Sequence, residues 1–368
     1  MALGCILLLL IGCKGKTTTT ATPTGNSTKS TTSTGGTTTS GGTSSTVSGA
    51  VTLFAGTTGS SGSSDGAATA ATFDRPMDVA TDGTDLYVVN YGNYSIRKIV
   101  VATGAVTTIA GTSTALDTNG KASTLKFPNS ITCDGTNLYF TDGGNSIFKL
   151  KLSTGVVENL AGDGSDGLVD GTGTTAKFRE PEGMDTDGTY VYVADSRNRV
   201  IRKIVIATRV VTTLAGGGTA GTADAVGTAA QFTSPTGVTL VGGDLYVADM
   251  GTNTIRKINI ATKAVTTFVG SGTNANTDGT GTAAAFRAPV RITNDGTNLY
   301  VVDSDYTIRK IVIATGAVTT FAGVSSQSGS VDEVGTAATF NAPLGITRLG
   351  DNLYVADKAN HTIRKIVK

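Results

Sequence analysis

The chain has 368 residues, 39% of them hydrophobic and 15% charged, with 49 glycines. A composition this rich in Gly, Thr and Ser suits short strands joined by tight turns, so an all-β fold is expected. Beyond Val47, 26 Lys and Arg face 28 Asp and Glu, which excludes the cationic surplus on which nucleic-acid binding rests.

Residues 1–12 read as a signal peptide, with an apolar run from Cys5 to Ile11 that is too short to cross a bilayer as a helix. The run ends in Leu10-Ile11-Gly12-Cys13, which resembles the lipobox of bacterial lipoproteins. The resemblance implies cleavage before Cys13, lipidation of its sulfur and a place in the bacterial cell envelope, at the outer membrane or cell surface. Two or three acyl chains hold a protein on a membrane stably where one does not. The membrane is then met through the lipid anchor only. A plain secretory peptide, with Cys13 incidental, gives a secreted protein instead. Either way Cys133 is the one thiol left in the body of the chain, and a disulfide framework is excluded.

Residues 13–46 are dominated by Thr, Ser and Gly and contain no aromatic residue, so they cannot bury enough apolar surface to offset ordering. They read as a tether with an r.m.s. reach of about 30 Å. From residue 47 to 368 a repeat takes over. Its tyrosine recurs at Tyr87, Tyr139, Tyr192, Tyr246, Tyr300 and Tyr354, spacings of 52, 53, 54, 54 and 54. Each copy reads as four strands: a short apolar strand after F-x-x-P, then LYVAD-like, IRKI-like and VTTLAG-like strands. Six prolines, from Pro76 to Pro343, share one position before the first strand, where a missing N–H costs no ladder bond.

Four-stranded units at this period are the mark of propeller blades. The sixth copy stops at Lys368 without its last strand, and an orphan copy, Val51-Thr52-Leu53-Phe54-Ala55-Gly56, precedes the first full unit. The expectation is a six-bladed β-propeller of four-stranded antiparallel blades, its ring closed by the N-terminal strand completing the last blade. A monomer is expected.

Phe178 to Gly183 (F-x-x-P-x-G), Leu245 to Asp249 (LYVAD), Asn198 to Ile204 (N-x-x-I-R-K-I) and Val211 to Gly216 (V-T-T-L-A-G) together resemble the NHL-repeat family of β-propellers, from Val51 to Lys368. The resemblance implies an axial channel. Members and relatives include binding scaffolds and enzymes, so fold decides little about activity.

Positions common to all copies are most simply structural, and copy-specific ones are free for function. The loops after LYVAD and the F-x-x-P connectors fall on one face, the upper one. They carry Tyr91, Tyr94, Arg197, Arg199, Tyr306 and His361 as copy-specific residues, on loops of the kind that carry recognition. At the channel mouth the glycine of P-x-G is replaced by Asp78, Ser130 and Arg291, with Glu182 adjacent. Asp78 and Arg291 face one small polar site or pair with each other. The I-R-K-I cations read as blade construction, paired with the LYVAD carboxylates Asp142, Asp195, Asp249, Asp303 and Asp357, while their stems cover strand surface and their heads stay wet. The runs around Asp163, Asp166, Asp170 and Asp278 offer carboxylates for Ca²⁺, the one cofactor weighed, although turn chemistry alone explains Asp-Gly. A single histidine, His361, excludes a three-His zinc site.

The reading is an envelope-anchored, non-catalytic recognition or scaffold module that binds a protein or glycan partner through its upper face. The alternatives are a carboxylate-based, lactonase-like propeller hydrolase or lyase acting at the channel mouth, and a purely structural envelope protein.

Overall fold

A computed structural model describes residues 47–111 and 125–368. The signal segment, Cys13 and the tether lie outside the described residues. Six antiparallel sheets follow one another along the chain. Their inner strands are Pro76–Thr81, Ile131–Cys133, Pro181–Thr186, Pro235–Val241, Pro289–Asn294 and Pro343–Leu349. Each packs against the inner strand of the blade before and after it, and the sixth returns to the first. The result is a six-bladed β-propeller around an axial channel.

Five of the prolines open an inner strand as its first residue, where the absent N–H is harmless. The second and third strands of a blade are hydrogen-bonded hairpins in unbroken register, as between Tyr190–Asp195 and Val200–Val205, whereas the register shifts once between the third and fourth. These strands are buried on both faces, which is why their apolar runs do not alternate: Leu245 to Asp249 is buried throughout. Apolar clusters fill the wedges between blades. In one, Tyr192 and Ala194 of the third blade pack with Val238, Leu245 and Val247 of the fourth.

The sixth sheet takes its outer strand from the other end of the chain. Val51–Ala55 runs antiparallel to Thr362–Val367, with Val51 opposite Ile366. The third, fourth and fifth blades each gain a short fifth strand, Gly171–Thr172, Ala225–Val226 and Gly279–Thr280, laid along the outer strand by the connector that leads to that blade. Those three sheets are thus five-stranded rather than four.

Four of the I-R-K-I arginines pair with LYVAD carboxylates as expected, but all five are more deeply buried than expected. Arg97, Arg202, Arg256, Arg309 and Arg364 are at most 1% exposed, so their heads are not wet. Each guanidinium lies 4.8–5.3 Å from the ring centroid of the Phe in F-x-x-P, a cation–π contact strengthened by desolvation. Each also pairs at 2.5–2.9 Å with a carboxylate of the connector: Asp65, Asp170, Asp224, Asp278 or Asp332. Four of the LYVAD carboxylates, Asp195, Asp249, Asp303 and Asp357, flank the same guanidiniums at 2.9–4.0 Å. The second blade carries Phe148 where the others carry arginine, so Asp142 has no such partner; burial pushes its carboxyl up, against hydrogen bonds from Gly144 and Ser146.

Candidate functional site

Alternate residues of a strand share a face, so each inner strand sends every second side chain toward the axis. Two layers result. The residues two places after proline are Asp78, Ser130, Gly183, Gly237, Arg291 and Gly345; those four places after are Ala80, Thr132, Asp185, Thr239, Thr293 and Thr347. Asp78, Ser130, Gly183 and Arg291 of the first layer and all six of the second line a cavity of about 200 Å³.

The first layer is a network across the channel. Asp78 Oδ2 accepts from Ser130 Oγ at 2.7 Å and Ile131 N at 3.1 Å, and Oδ1 accepts from Val79 N at 2.9 Å. Arg291 Nε lies 3.7 Å from Asp78 Oδ2. Arg291 Nη1 donates to Thr236 O at 2.7 Å and Glu182 Oε2 at 3.2 Å. Asp78, Ser130, Glu182 and Arg291 are therefore brought together although they come from four blades. Burial pushes the Asp78 carboxyl up, against the pull of Arg291 and the three donors. The glycines of the same layer supply space: a Cβ on Gly345 would overlap Asp78, and one on Gly237 would sit 2.7 Å from Val290 O.

On the upper face, Tyr91 and Tyr94 close on Phe127, with ring centroids 5.6 and 4.7 Å apart. The Arg75 guanidinium lies 5.3 Å from the Tyr91 centroid, and the Arg75 N–H donates to His361 Nδ1 at 3.1 Å. Three expected residues thus gather around one sector. Tyr94 and Phe127 are 40% and 46% exposed and hold φ of 51° and 50°, the left-handed region that bulky side chains avoid. Arg197 and Arg199 lie in another sector. Arg197 Nε pairs with Glu180 at 2.8 Å, both well exposed, and Arg199 Nη1 donates to Gly218 O at 3.2 Å. With Glu182, Ser196, Ser234 and Met250 they line a depression of about 350 Å³. Tyr306 holds the same left-handed repeat position in the fifth blade, at φ 74°, away from both groups.

No protein-family model matches the chain. NHL repeat-containing protein 2 of Bos taurus is 30% identical over 282 residues, 66% of this chain and 39% of that protein. This chain is an NHL-repeat β-propeller. It spans about two fifths of the length of that relative. Two solved structures from Bacteroides thetaiotaomicron share the fold. A protein of unknown function superposes with a TM-score of 0.65 at 21% identity, covering 86% of this chain and 75% of the other. An auxiliary nutrient binding protein gives 0.64 at 20% identity, with the same coverage.

The NHL propeller also holds residues that sequence reasoning passed over. Asp185 is a carboxylate in a layer otherwise made of Ala and Thr; Leu240 N, Thr186 N and Thr239 Oγ1 donate to it at 2.7, 2.8 and 3.3 Å. Burial pushes its carboxyl up against those bonds. Comparison of the copies at the fourth place after proline would have found it. Phe127 could have been found in the same way, since the residue before proline is Arg75, Glu180, Ser234, Ala288 or Ala342 in the other blades. The runs weighed for calcium in the NHL propeller have other partners. Asp170 and Asp278 hold Arg202 and Arg309 from the blades' outer edge, while Asp163 accepts from the Ser165 N–H and hydroxyl. No group of three or more His, Cys, Asp or Glu able to hold a metal occurs among the described residues.

Proposed function

We propose that this propeller is a recognition module of the bacterial cell envelope, anchored through Cys13 and binding a glycan or protein partner on its upper face. The observation that carries the reading is the exposed cluster of Tyr91, Tyr94 and Phe127. Aromatic faces that lie open beside a guanidinium suit stacking against a sugar ring or an apolar side chain. Two of the three rings occupy left-handed backbone positions where Gly or Asn would fold more easily, so the fold itself gives no reason for them. The likeness to an auxiliary nutrient binding protein is in keeping with a binding role and adds support at the level of fold.

The test is capture of envelope glycans and proteins by the full chain and by Tyr94→Ala and Phe127→Ala forms. Binding by the parent that drops about fivefold or more in either variant, with melting temperature held, supports the reading; a loss of one stacking contact of about 1 kcal/mol gives that order. Equal binding by parent and variants overturns it.

A further inference from the structure

The aromatic cluster of the upper face continues into a row of positive charge. The residue that follows LYVAD meets, in the next blade, the residue that precedes proline: Tyr91 faces Phe127 with centroids 5.6 Å apart, and Ser196 Oγ meets Ser234 Oγ at 3.3 Å. In the wedge between the sixth and first blades the same two positions hold Lys358 and Arg75. Arg75 also lies over Tyr91 of its own blade, 5.3 Å from the centroid. Lys358, Arg75, Tyr91 and Phe127 therefore follow one another across three blades, two cations leading onto open rings.

Like charges side by side repel unless an anion joins them. Lys358 is partly buried, and burial together with the charge of Arg75 pushes the pKa of its ammonium down. It has no carboxylate within ion-pair distance among the described residues. Asp74 Oδ1 stands 3.4 Å from Arg75 Nε, longer than the roughly 2.7–2.9 Å of a charge-assisted hydrogen bond. The Arg75 side chain is 50% exposed, and its terminal nitrogens make no hydrogen bond among the described residues. Beside the rings Lys126 is exposed and Asp142 buried, so three cations stand against Asp74 and a carboxylate withdrawn from the surface. The charged depression of the third and fourth blades is different. There Glu180 holds the repeat position of Arg75 and pairs with Arg197 at 2.8 Å.

We infer that this sector binds an acidic glycan, whose uronic acid units stack on the rings of Tyr91, Tyr94 and Phe127 and set carboxylates against Arg75 and Lys358. The inference rests on the recognition reading above and narrows its partner. A neutral sugar stacks but leaves the two cations facing each other. An acidic peptide meets the cations, but with carboxylates on flexible stems and nothing to cover the rings. In a uronic acid the carboxyl is bonded directly to the sugar ring, so one rigid unit makes both the stack and the ion pair and loses little freedom on binding.

The test is titration calorimetry on the full chain with tetramers of galacturonic, glucuronic and mannuronic acid, beside the methyl ester of the first, neutral galactotetraose and tetraglutamate. At least one uronate is expected to bind about fivefold or more tightly than the ester, the neutral sugar and the peptide, and to weaken as salt screens the charges. Lys358→Gln and Arg75→Gln are expected to lower uronate affinity about fivefold or more. Lys151→Gln, which removes an exposed charge at the end of Ile147–Lys151, is expected to leave it unchanged. Should Arg75→Gln fail to fold, Lys358→Gln carries the comparison. Absence of uronate binding, equal binding of the ester, tighter binding of tetraglutamate, or undiminished binding in Lys358→Gln overturns the inference. Galactotetraose bound as well as the uronates, with loss in Tyr94→Ala, overturns it while leaving the recognition reading in place.

Discussion

The guanidinium of Arg202 lies 4.8 Å from the ring centroid of Phe178, with Asp170 and Asp195 each 2.9 Å away. Its two terminal nitrogens also donate to the carbonyls of Lys177 and Val169 at 2.8 Å, so one side chain fastens the connector to its blade. Arg202→Met removes the cation and leaves Asp195 buried and unpaired. Breaking such a pair costs about 3–5 kcal/mol, and calorimetric or denaturant unfolding should show a loss of that size. Replacing Arg202 and Asp195 together with apolar residues should cost less than Arg202→Met alone.

The strand Val51–Ala55 supplies the outer edge of the sixth blade, and Leu53 N donates to Asp332, the carboxylate that also holds Arg364. Deleting residues 47–56 removes several ladder bonds, each worth about 0.5–1.5 kcal/mol, together with the buried Val51 and Ala55. The melting temperature should fall by several degrees or more. An unchanged melting temperature would show that the sixth blade stands without this strand.

Asp185 makes the pH dependence informative. Burial raises its folded-state pKa above the unfolded value, so its contribution to stability is fully present below about pH 4 and is lost as pH rises through the folded-state value. Asn at this position does not ionise. Melting curves should therefore favour Asp185→Asn over the parent more at pH 7 than at pH 3. A difference that does not change with pH would contradict this.

Gly345 is needed for space rather than for an unusual φ. A methyl there would overlap the backbone and carboxylate of Asp78, and overpacking of that kind costs about 1–3 kcal/mol. Gly345→Ala should destabilise the fold and shift Asp78 relative to Arg291. Gly83→Ala, whose Cβ meets nothing within 4 Å but whose φ of 92° favours glycine, should cost about 1 kcal/mol without disturbing the channel.

The repeat period, the prolines at strand starts and the double-sided burial were legible in the chain because each recurs in register. The pairing of Arg202 and its counterparts with the LYVAD carboxylates was legible, but their full burial was not, because the second carboxylate is not in the same motif. It lies 31 or 32 residues earlier in every pair from Arg97–Asp65 to Arg364–Asp332, a regularity visible only when the connector is compared with the strand that follows. The meeting of Asp78 with Arg291 could be expected from convergence on the axis, whereas Asp185 was overlooked because comparison stopped at the first layer. The aromatic cluster needed the fold itself, since Phe127 precedes one inner strand and Tyr91 and Tyr94 belong to the blade before it.

The two-residue strands Gly171–Thr172, Ala225–Val226 and Gly279–Thr280 have a consequence for how this molecule meets others. An outer strand with free N–H and C=O groups is a template on which a foreign peptide can add itself by β-augmentation. Here the connector already occupies that template where it crosses Val210–Val211, Ala264–Val265 and Ala317–Val318. At these three rims an incoming chain finds the seats taken, so recognition is steered to side chains and loops, and strand-by-strand polymerisation of propellers is blocked there.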